Sequence, residues 1–117
     1  MSNSIDVLDG GLKTAGKLLC SSATIASAST ITLGDGNFNI ISGTTTIDAI
    51  AVDVWEPGSE VTLLFQGSLT VKHATAGAAG SAEFFLSGSV DLSAAANTVL
   101  KIVYDGTYWQ EVSRKVA

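Results

Sequence analysis

Short runs of β-branched and aromatic residues, each ended by a glycine-containing turn, follow one another from Thr30 to the C-terminus. The runs recur about every 8 to 12 residues, a spacing typical of all-β domains. The turns have a physical basis, because glycine adopts positive φ readily and proline presets φ; examples are Gly34-Asp35-Gly36, Ser42-Gly43 and Glu56-Pro57-Gly58. This rhythm, without an amphipathic helical segment of about ten residues, predicts an all-β fold.

The region Gly58–His73 is the expected centre of the core. Its two apolar runs, Val61–Phe65 and Leu69–Val71, are separated by Gln66-Gly67-Ser68, which is a strand-turn-strand signal. Within each run a large apolar side chain recurs at every second position, so one face of each strand can be buried.

Two local features are predicted outside this centre. Thr98–Tyr104 and Thr107–Val112 flank Asp105-Gly106, which predicts a C-terminal hairpin with a type I′ turn. In the run Thr44–Trp55 the apolar phase shifts near Ala49-Ile50, as it does at a β-bulge or between two shorter strands.

Three architectures fit this pattern: a β-sandwich, a jelly roll, and a solenoid-like or prism arrangement shared among subunits. An antiparallel β-sandwich or jelly-roll-like fold is the simplest, since no fixed-period repeat marks a solenoid. The length of 117 residues suits one domain.

The composition favours a protein that packs against other proteins. Hydrophobic residues make up 46% of the chain and charged residues only 15%, whereas an ordinary soluble protein has about 25% charged residues. A surface covered by Ser, Thr, Asn, Gly and Ala is common in assemblies, and an extracellular Ser/Thr-rich domain gives the same composition.

Charge and cysteine content exclude several classes. The formal net charge of -5, with only six Lys and Arg, argues against nucleic-acid binding. The single cysteine, Cys20, cannot form an intramolecular disulfide and is interpreted as a small apolar residue. Lys13 and Lys17 interrupt the apolar segment before it, so we expect no targeting or membrane segment.

The first part of the chain differs from the rest. We expect residues 1–29 to form an N-terminal arm, extended or disordered until assembly, and residues 30–117 to form the β domain. The arm carries apolar residues that are candidates for capsid or subunit contact: Ile5, Val7, Leu8, Leu12, Leu18 and Leu19.

No catalytic, cofactor or metal site is predicted, and we expect no enzyme. His73, the only histidine, has no nucleophile at a spacing typical of a catalytic triad. Gly34-Asp35-Gly36-Asn37 lacks the spaced ligands of a calcium loop. Four acidic residues resemble a glycosidase carboxylate pair only superficially and are interpreted as solvated charges: Asp48, Asp53, Glu56 and Glu60.

Aromatic residues are the remaining candidates for a binding site. Trp55, Tyr108 and Trp109 are possible glycan-stacking or interface residues, with Tyr104 as a further aromatic in the same hairpin. A role in the core or in a subunit contact is the simpler interpretation.

The sequence resembles a β module of tailed-bacteriophage structural proteins, found in tail fibres, tailspikes and capsid decoration proteins. The resemblance covers about residues 30–113 and rests on the Gly-Thr-Thr-Thr-Ile motif at Gly43–Ile47, on the strands of Val61–His73, and on the closing Asp-Gly-Thr-x-Trp hairpin of Leu100–Val112.

This resemblance implies a non-enzymatic virion protein, expected to form a homotrimer. The short chain is closer to a capsid decoration (cement) protein, which binds the major capsid protein on the head surface, than to a long fibre. The alternative is a small tail or head fibre that recognises a host-surface glycan. Neither reading involves a nucleic-acid or membrane partner.

Overall fold

Ten β-strands make up the fold in the computed structural model, which describes residues 22–117. The all-β prediction is confirmed. A short 3-10 turn, η1 (Ser87–Ser89), interrupts the strands once. The strands are β1 (Ser22–Ala26), β2 (Thr30–Ile31), β3 (Phe38–Ser42), β4 (Ala49–Ala51), β5 (Glu60–Phe65), β6 (Leu69–Val71), β7 (Ser81–Phe85), β8 (Leu92–Ala94), β9 (Val99–Tyr104) and β10 (Trp109–Lys115).

Eight strands form one mixed sheet in the order β1-β3-β5-β9-β10-β7-β4-β2, and β6 pairs with β8 in a second sheet. The two edge strands of the large sheet, β1 and β2, follow each other directly in the chain, so its edges lie close together and the sheet nearly closes into a barrel. Hydrogen bonds connect the linker between β1 and β2 to the next coil. Ser27 N–H donates to the carbonyl of Ser42 at the end of β3, and the Ser29 carbonyl accepts from the N–H of Asp48, just before β4.

The first six strands wind as three stacked coils. β1, β3 and β5 pair in parallel, β2 pairs in parallel with β4, and Ile47 forms a parallel bridge with Val71 of β6. Four of the eight strand pairings among the described residues are parallel, so the expectation of an antiparallel sandwich is not met. Two parallel neighbouring strands need a long connection between them. Here each such connection contains the other β-strand of the coil, as β2 lies between β1 and β3.

The region Val61–Val71 is central, but it is not a hairpin. Val61, Leu63 and Phe65 of β5 and Leu69 and Val71 of β6 are buried, as their alternation predicts. However, β5 pairs with β3 and β9, whereas β6 pairs with β8. The turn between β5 and β6 therefore passes the chain from one sheet to the other.

The C-terminal hairpin is confirmed, but its turn is not type I′. Tyr104 pairs with Trp109, so the loop has four residues, and Asp105 lacks the positive φ that a type I′ turn requires. Gly106 alone in this loop has positive φ, at 99°. The Asp105 carboxylate closes the loop by accepting from Thr107 and Tyr108 N–H groups, both at 2.7 Å, which is an Asx-type turn.

Two further predictions have clear outcomes. The phase shift near Ala49-Ile50 is present, because both residues are buried in succession and Asp48 and Ala49 both donate N–H groups to the Ser29 carbonyl.

The domain boundary at residue 30 is too late, because β1 lies within the predicted arm and belongs to the sheet. Residues 1–21, which carry all six apolar arm candidates, lie outside the described residues.

One buried polar side chain organises the turn between β2 and β3. Asn39 is fully buried. Its Oδ1 accepts from Gly34 N–H at 3.0 Å, and its Nδ2 donates to the Gly36 carbonyl at 3.3 Å. The turn that superficially resembles a calcium loop is thus closed by an amide from the following strand.

We predict that Asn39→Ala lowers the free energy of unfolding by about 1–3 kcal/mol, because it leaves a backbone donor and a backbone acceptor unpaired near the core. Urea unfolding at pH 7 measures the change. Asn37→Ala, which removes an exposed amide from the same turn, is the matched control and should change stability by less than about 0.5 kcal/mol. Equal effects of the two variants would contradict this assignment.

Candidate binding surfaces

The predicted aromatic candidates separate into core and surface residues. Trp109 is fully buried, Trp55 packs half-buried against the core, and Tyr108 is half-buried at the surface. Trp109 is therefore a core residue and offers no face on which a sugar could stack in this structure.

The environment of Trp109 is aromatic. Its ring lies 5.9 Å from Trp55 in an edge-to-face arrangement and 5.1 Å from Tyr104. Among the buried side-chain polar atoms of the described residues, only the Trp109 indole nitrogen lacks a hydrogen-bond partner. The ring planes of Trp109 and Trp55 are inclined by 78°, an arrangement that aromatic pairs prefer to a face-to-face stack.

A different set of aromatic side chains lies at the surface, and we call it the aromatic strip: His73, Phe85 and Tyr108. The ring centroids of His73 and Phe85 are 4.8 Å apart, and those of Phe85 and Tyr108 are 5.1 Å apart. Phe85 is 40% exposed although it is a large apolar residue. Three chain segments meet here, since His73 bridges to β7 and Phe85 pairs across to Gln110 of β10.

Backbone contacts fix His73 at one end of the strip. Its Nδ1 accepts from Leu86 N–H at 3.1 Å, and its own N–H donates to the Asp91 carboxylate at 2.8 Å. The next residue, Ala74, has a positive φ of 48°, which costs energy for a residue with a Cβ atom. Ala74 N–H donates to the Phe84 carbonyl, and this bond holds the strained backbone against β7.

Carboxylates border the strip at both ends. The His73 N–H bond, followed by Lys72 at 3.4 Å, holds the pKa of Asp91 below its usual value. At the other end, the Tyr108 N–H bond and a bond from Gln110 Nε2 lower the pKa of Asp105. Both groups are exposed, so these shifts indicate ionised, ordered carboxylates and carry little stability.

A second surface feature lies on the outward face of the large sheet, and we call it the outer row: Ile40, Leu64 and Val99. These residues are cross-strand neighbours on β3, β5 and β9, and each is half-buried. They face away from the core, because Ile41, Leu63 and Leu100 beside them are fully buried. Exposed Thr24 and Lys115 end the row, so it forms a continuous aliphatic strip across three strands.

One ion pair lies within β10, and its carboxylate also accepts a hydrogen bond from the turn after β7. Arg114 Nη2 lies 2.6 Å from Glu111 Oε1, and Ser87 N–H donates to the same carboxylate. The Glu111 side chain is only 5% exposed. The Arg114 bond lowers the pKa of Glu111, and the pair spans the irregular register of β10 between Glu111 and Ser113.

The other polar candidates are dispersed. Glu60 pairs with Lys101 at 3.3 Å, while Asp53 and Glu56 are exposed. Within residues 22–117, no three His, Cys, Asp or Glu side chains are placed to hold a metal ion, and no enclosed pocket is found. No helix in that part of the chain has the length and apolar character to cross a membrane.

Comparison with protein-family models, with curated proteins and with solved structures finds no match to this chain.

Sequence reasoning found Tyr108 but not its neighbours in the aromatic strip. Phe85 lies in a run of apolar residues, Phe84-Phe85-Leu86, in which alternation gives no clear assignment of the outward position. His73 meets Phe85 only through a parallel bridge to β7. Pairing between segments distant in sequence therefore creates this site.

We predict that Trp109→Ala lowers the free energy of unfolding by about 3–5 kcal/mol, because it leaves a large cavity beside Trp55 and Tyr104. Chemical denaturation followed by circular dichroism measures this loss. Trp55→Ala should cost clearly less, since Trp55 is only half-buried. A larger loss of unfolding free energy for Trp55→Ala than for Trp109→Ala would show that Trp55 is the centre of this cluster instead.

We predict that Glu111→Gln destabilises the protein at pH 7 by about 1–3 kcal/mol and has little effect in acid. The folded-state pKa of Glu111 is lowered, so the pair stabilises the fold above the unfolded-state pKa, about 4.3. This contribution is lost as pH falls through the folded-state pKa.

Unfolding measured at pH 7 and near pH 3 tests this difference. Glu60→Gln is the control: its pair with Lys101 is about half-exposed, so it should change stability at pH 7 by less than about 0.5 kcal/mol. A Glu111→Gln effect of the same size at both pH values would show that shape, not charge, makes this residue important.

Proposed function

We propose that this chain is a non-enzymatic structural protein that assembles with copies of itself, most specifically as a homotrimeric capsid decoration protein of a tailed bacteriophage. Its partners would be other copies of the chain and the major capsid protein. The observation that supports this proposal best is the outer row, an aliphatic strip on the outward face of a sheet in a chain with only 15% charged residues.

The outer row suits contact with a copy of the chain. Single exposed apolar residues are ordinary on protein surfaces, whereas a contiguous apolar strip indicates an interface. Covering Ile40, Leu64 and Val99 would remove further apolar area from water, worth about 25 cal/mol per Å². The same strip on each copy gives a symmetric assembly a repeated contact.

The N-terminal segment would supply the contact with the capsid. The described part of the chain begins with β1, which is an edge strand of the large sheet. An extended chain spans about 3.3 Å per residue, so a segment the length of residues 1–21 reaches on the order of 70 Å. Its apolar residues would bind neighbouring capsomers, and three such arms on one trimer would act together by avidity.

The second candidate function is a small tail or head fibre that recognises a host-surface glycan. The aromatic strip favours it, because it places three partly exposed rings beside hydrogen-bonding side chains. The two functions differ in copy number, since decoration requires hundreds of copies per particle and a fibre only a few to a few dozen.

We predict that the chain is a trimer in solution and that Leu64→Lys converts it to a monomer, because a charge in the outer row cannot be paired there. Light scattering coupled to size-exclusion chromatography measures the mass. Val54→Lys, which replaces a valine that is 77% exposed in the loop after β4, is the matched control and should remain trimeric. A wild-type chain that is monomeric at high micromolar concentration would refute self-assembly.

The location on the virion is tested separately. Quantitative mass spectrometry of purified virions should give hundreds of copies per particle relative to the major capsid protein. Deleting residues 1–20 should abolish binding to capsids and leave a folded trimer. A copy number of a few dozen or fewer would reject decoration in favour of a fibre.

A further inference from the structure

We propose that the aromatic strip of His73, Phe85 and Tyr108 binds neutral oligosaccharides. This gives the second candidate function a ligand class and a set of residues. It does not rest on the assembly proposal, because the strip and the outer row share no residue.

The three rings form a twisted, partly exposed aromatic platform, in which Phe85 is exposed and His73 and Tyr108 are half-buried. Adjacent rings are tilted by 56° and 41°, with centroids 4.8 and 5.1 Å apart. The C–H-bearing face of a pyranose ring is apolar and packs on the electron-rich face of an aromatic ring. Because neighbouring sugar rings in a chain are separated by a similar distance, the strip can contact successive sugars of one oligosaccharide.

The platform is held in place before any ligand arrives. Leu86 N–H fixes the His73 ring, the strained Ala74 backbone is held by β7, and the Asp105 carboxylate organises the loop that carries Tyr108. Strained backbone of this kind is often found at functional sites. A platform that loses little freedom on binding gives weak stacking contacts more net affinity.

Polar groups beside the rings can recognise sugar hydroxyl groups. In the neutral form of His73 the proton lies on Nε2, because Nδ1 accepts from Leu86 N–H. Gln110 lies directly across from Phe85 and donates through Nε2 to Asp105, which leaves its amide oxygen to accept. The site therefore presents both a donor and an acceptor next to the apolar surface.

Charge around the strip selects against anionic sugars. Asp91 and Asp105 border it, and Glu83 lies two positions before Phe85 on the same face of β7. Lys72, the nearby cation, is already paired with Asp91. In a chain of net charge -5, these carboxylates repel uronic and sialic acids and leave neutral oligosaccharides as the ligand class.

The size of the strip favours a sugar over a protein partner. An aromatic side chain buries about 150–250 Å² at most, and these three are partly covered already. A stable protein interface buries about 800 Å² on each partner. The strip alone is too small for that, whereas a few sugar rings match it.

The test is binding of the full-length chain to an array containing neutral and anionic oligosaccharides, followed by ¹⁵N NMR titration with the strongest neutral binder. We expect weak binding, with a dissociation constant on the order of 1 mM, and shifts concentrated at the backbone amides of His73, Phe85 and Tyr108. Phe85→Ala should weaken binding at least about tenfold, and Tyr108→Phe should retain the stacking contribution.

Val112→Ala is the matched control, because it removes an exposed apolar side chain from β10 outside the strip, and it should bind as the wild type does. No binding to any neutral sugar, a preference for anionic sugars, or shifts centred elsewhere would each overturn the proposal. Repeating the titration with Leu64→Lys separates the two proposals, since a monomer that still binds sugar supports this site even if self-assembly fails.

Discussion

The pairing of hairpin β9–β10 with strands on both of its sides holds the two halves of the large sheet together. β9 pairs antiparallel with β5, the last strand of the parallel stack β1-β3-β5, and β10 pairs in parallel with β7, which continues to β4 and β2. Without the hairpin the sheet would separate into two three-stranded halves. Trp109, fully buried at the start of β10, packs this junction from the inside.

The same junction determines what the surface can present. Because β10 pairs with both β9 and β7, the outward face carries a row in which Phe85, Gln110 and Val103 lie side by side. His73 joins it from the coil that ends at β6, through its bridge to Phe84. The aromatic strip is therefore a product of the closure of the sheet, and its rings are held by contacts that also support the fold.

The sequence predicts the strands better than their partners. Period-two alternation correctly indicates the buried positions of β5, β6 and β9, because burial of one face is a local property of a strand. Partner choice is not local: β5 and β6 look like a hairpin yet belong to different sheets. The parallel coils leave no fixed-period repeat in the sequence, because the residue offset between neighbouring coils varies: Ser22 pairs with Phe38, and Phe38 pairs with Thr62.

Two of the aromatic candidates differ in burial for the same reason, because burial here depends on strand pairing and not on the local sequence. Sequence alone cannot separate Tyr108 from Trp109, which are adjacent, yet one is at the surface and the other in the core. The register of β10 against β9 and β7 decides this, and the four-residue loop closed by Asp105 sets that register. A two-residue type I′ turn at Asp105-Gly106 would instead pair Tyr104 with Thr107. That shift of two residues would keep Trp109 on the inward face but place it opposite Ile102 rather than Tyr104. The Asx-type turn thus sets Trp109 opposite Tyr104 and Gln110 opposite Val103, so one carboxylate determines which residues meet across the β9–β10 junction.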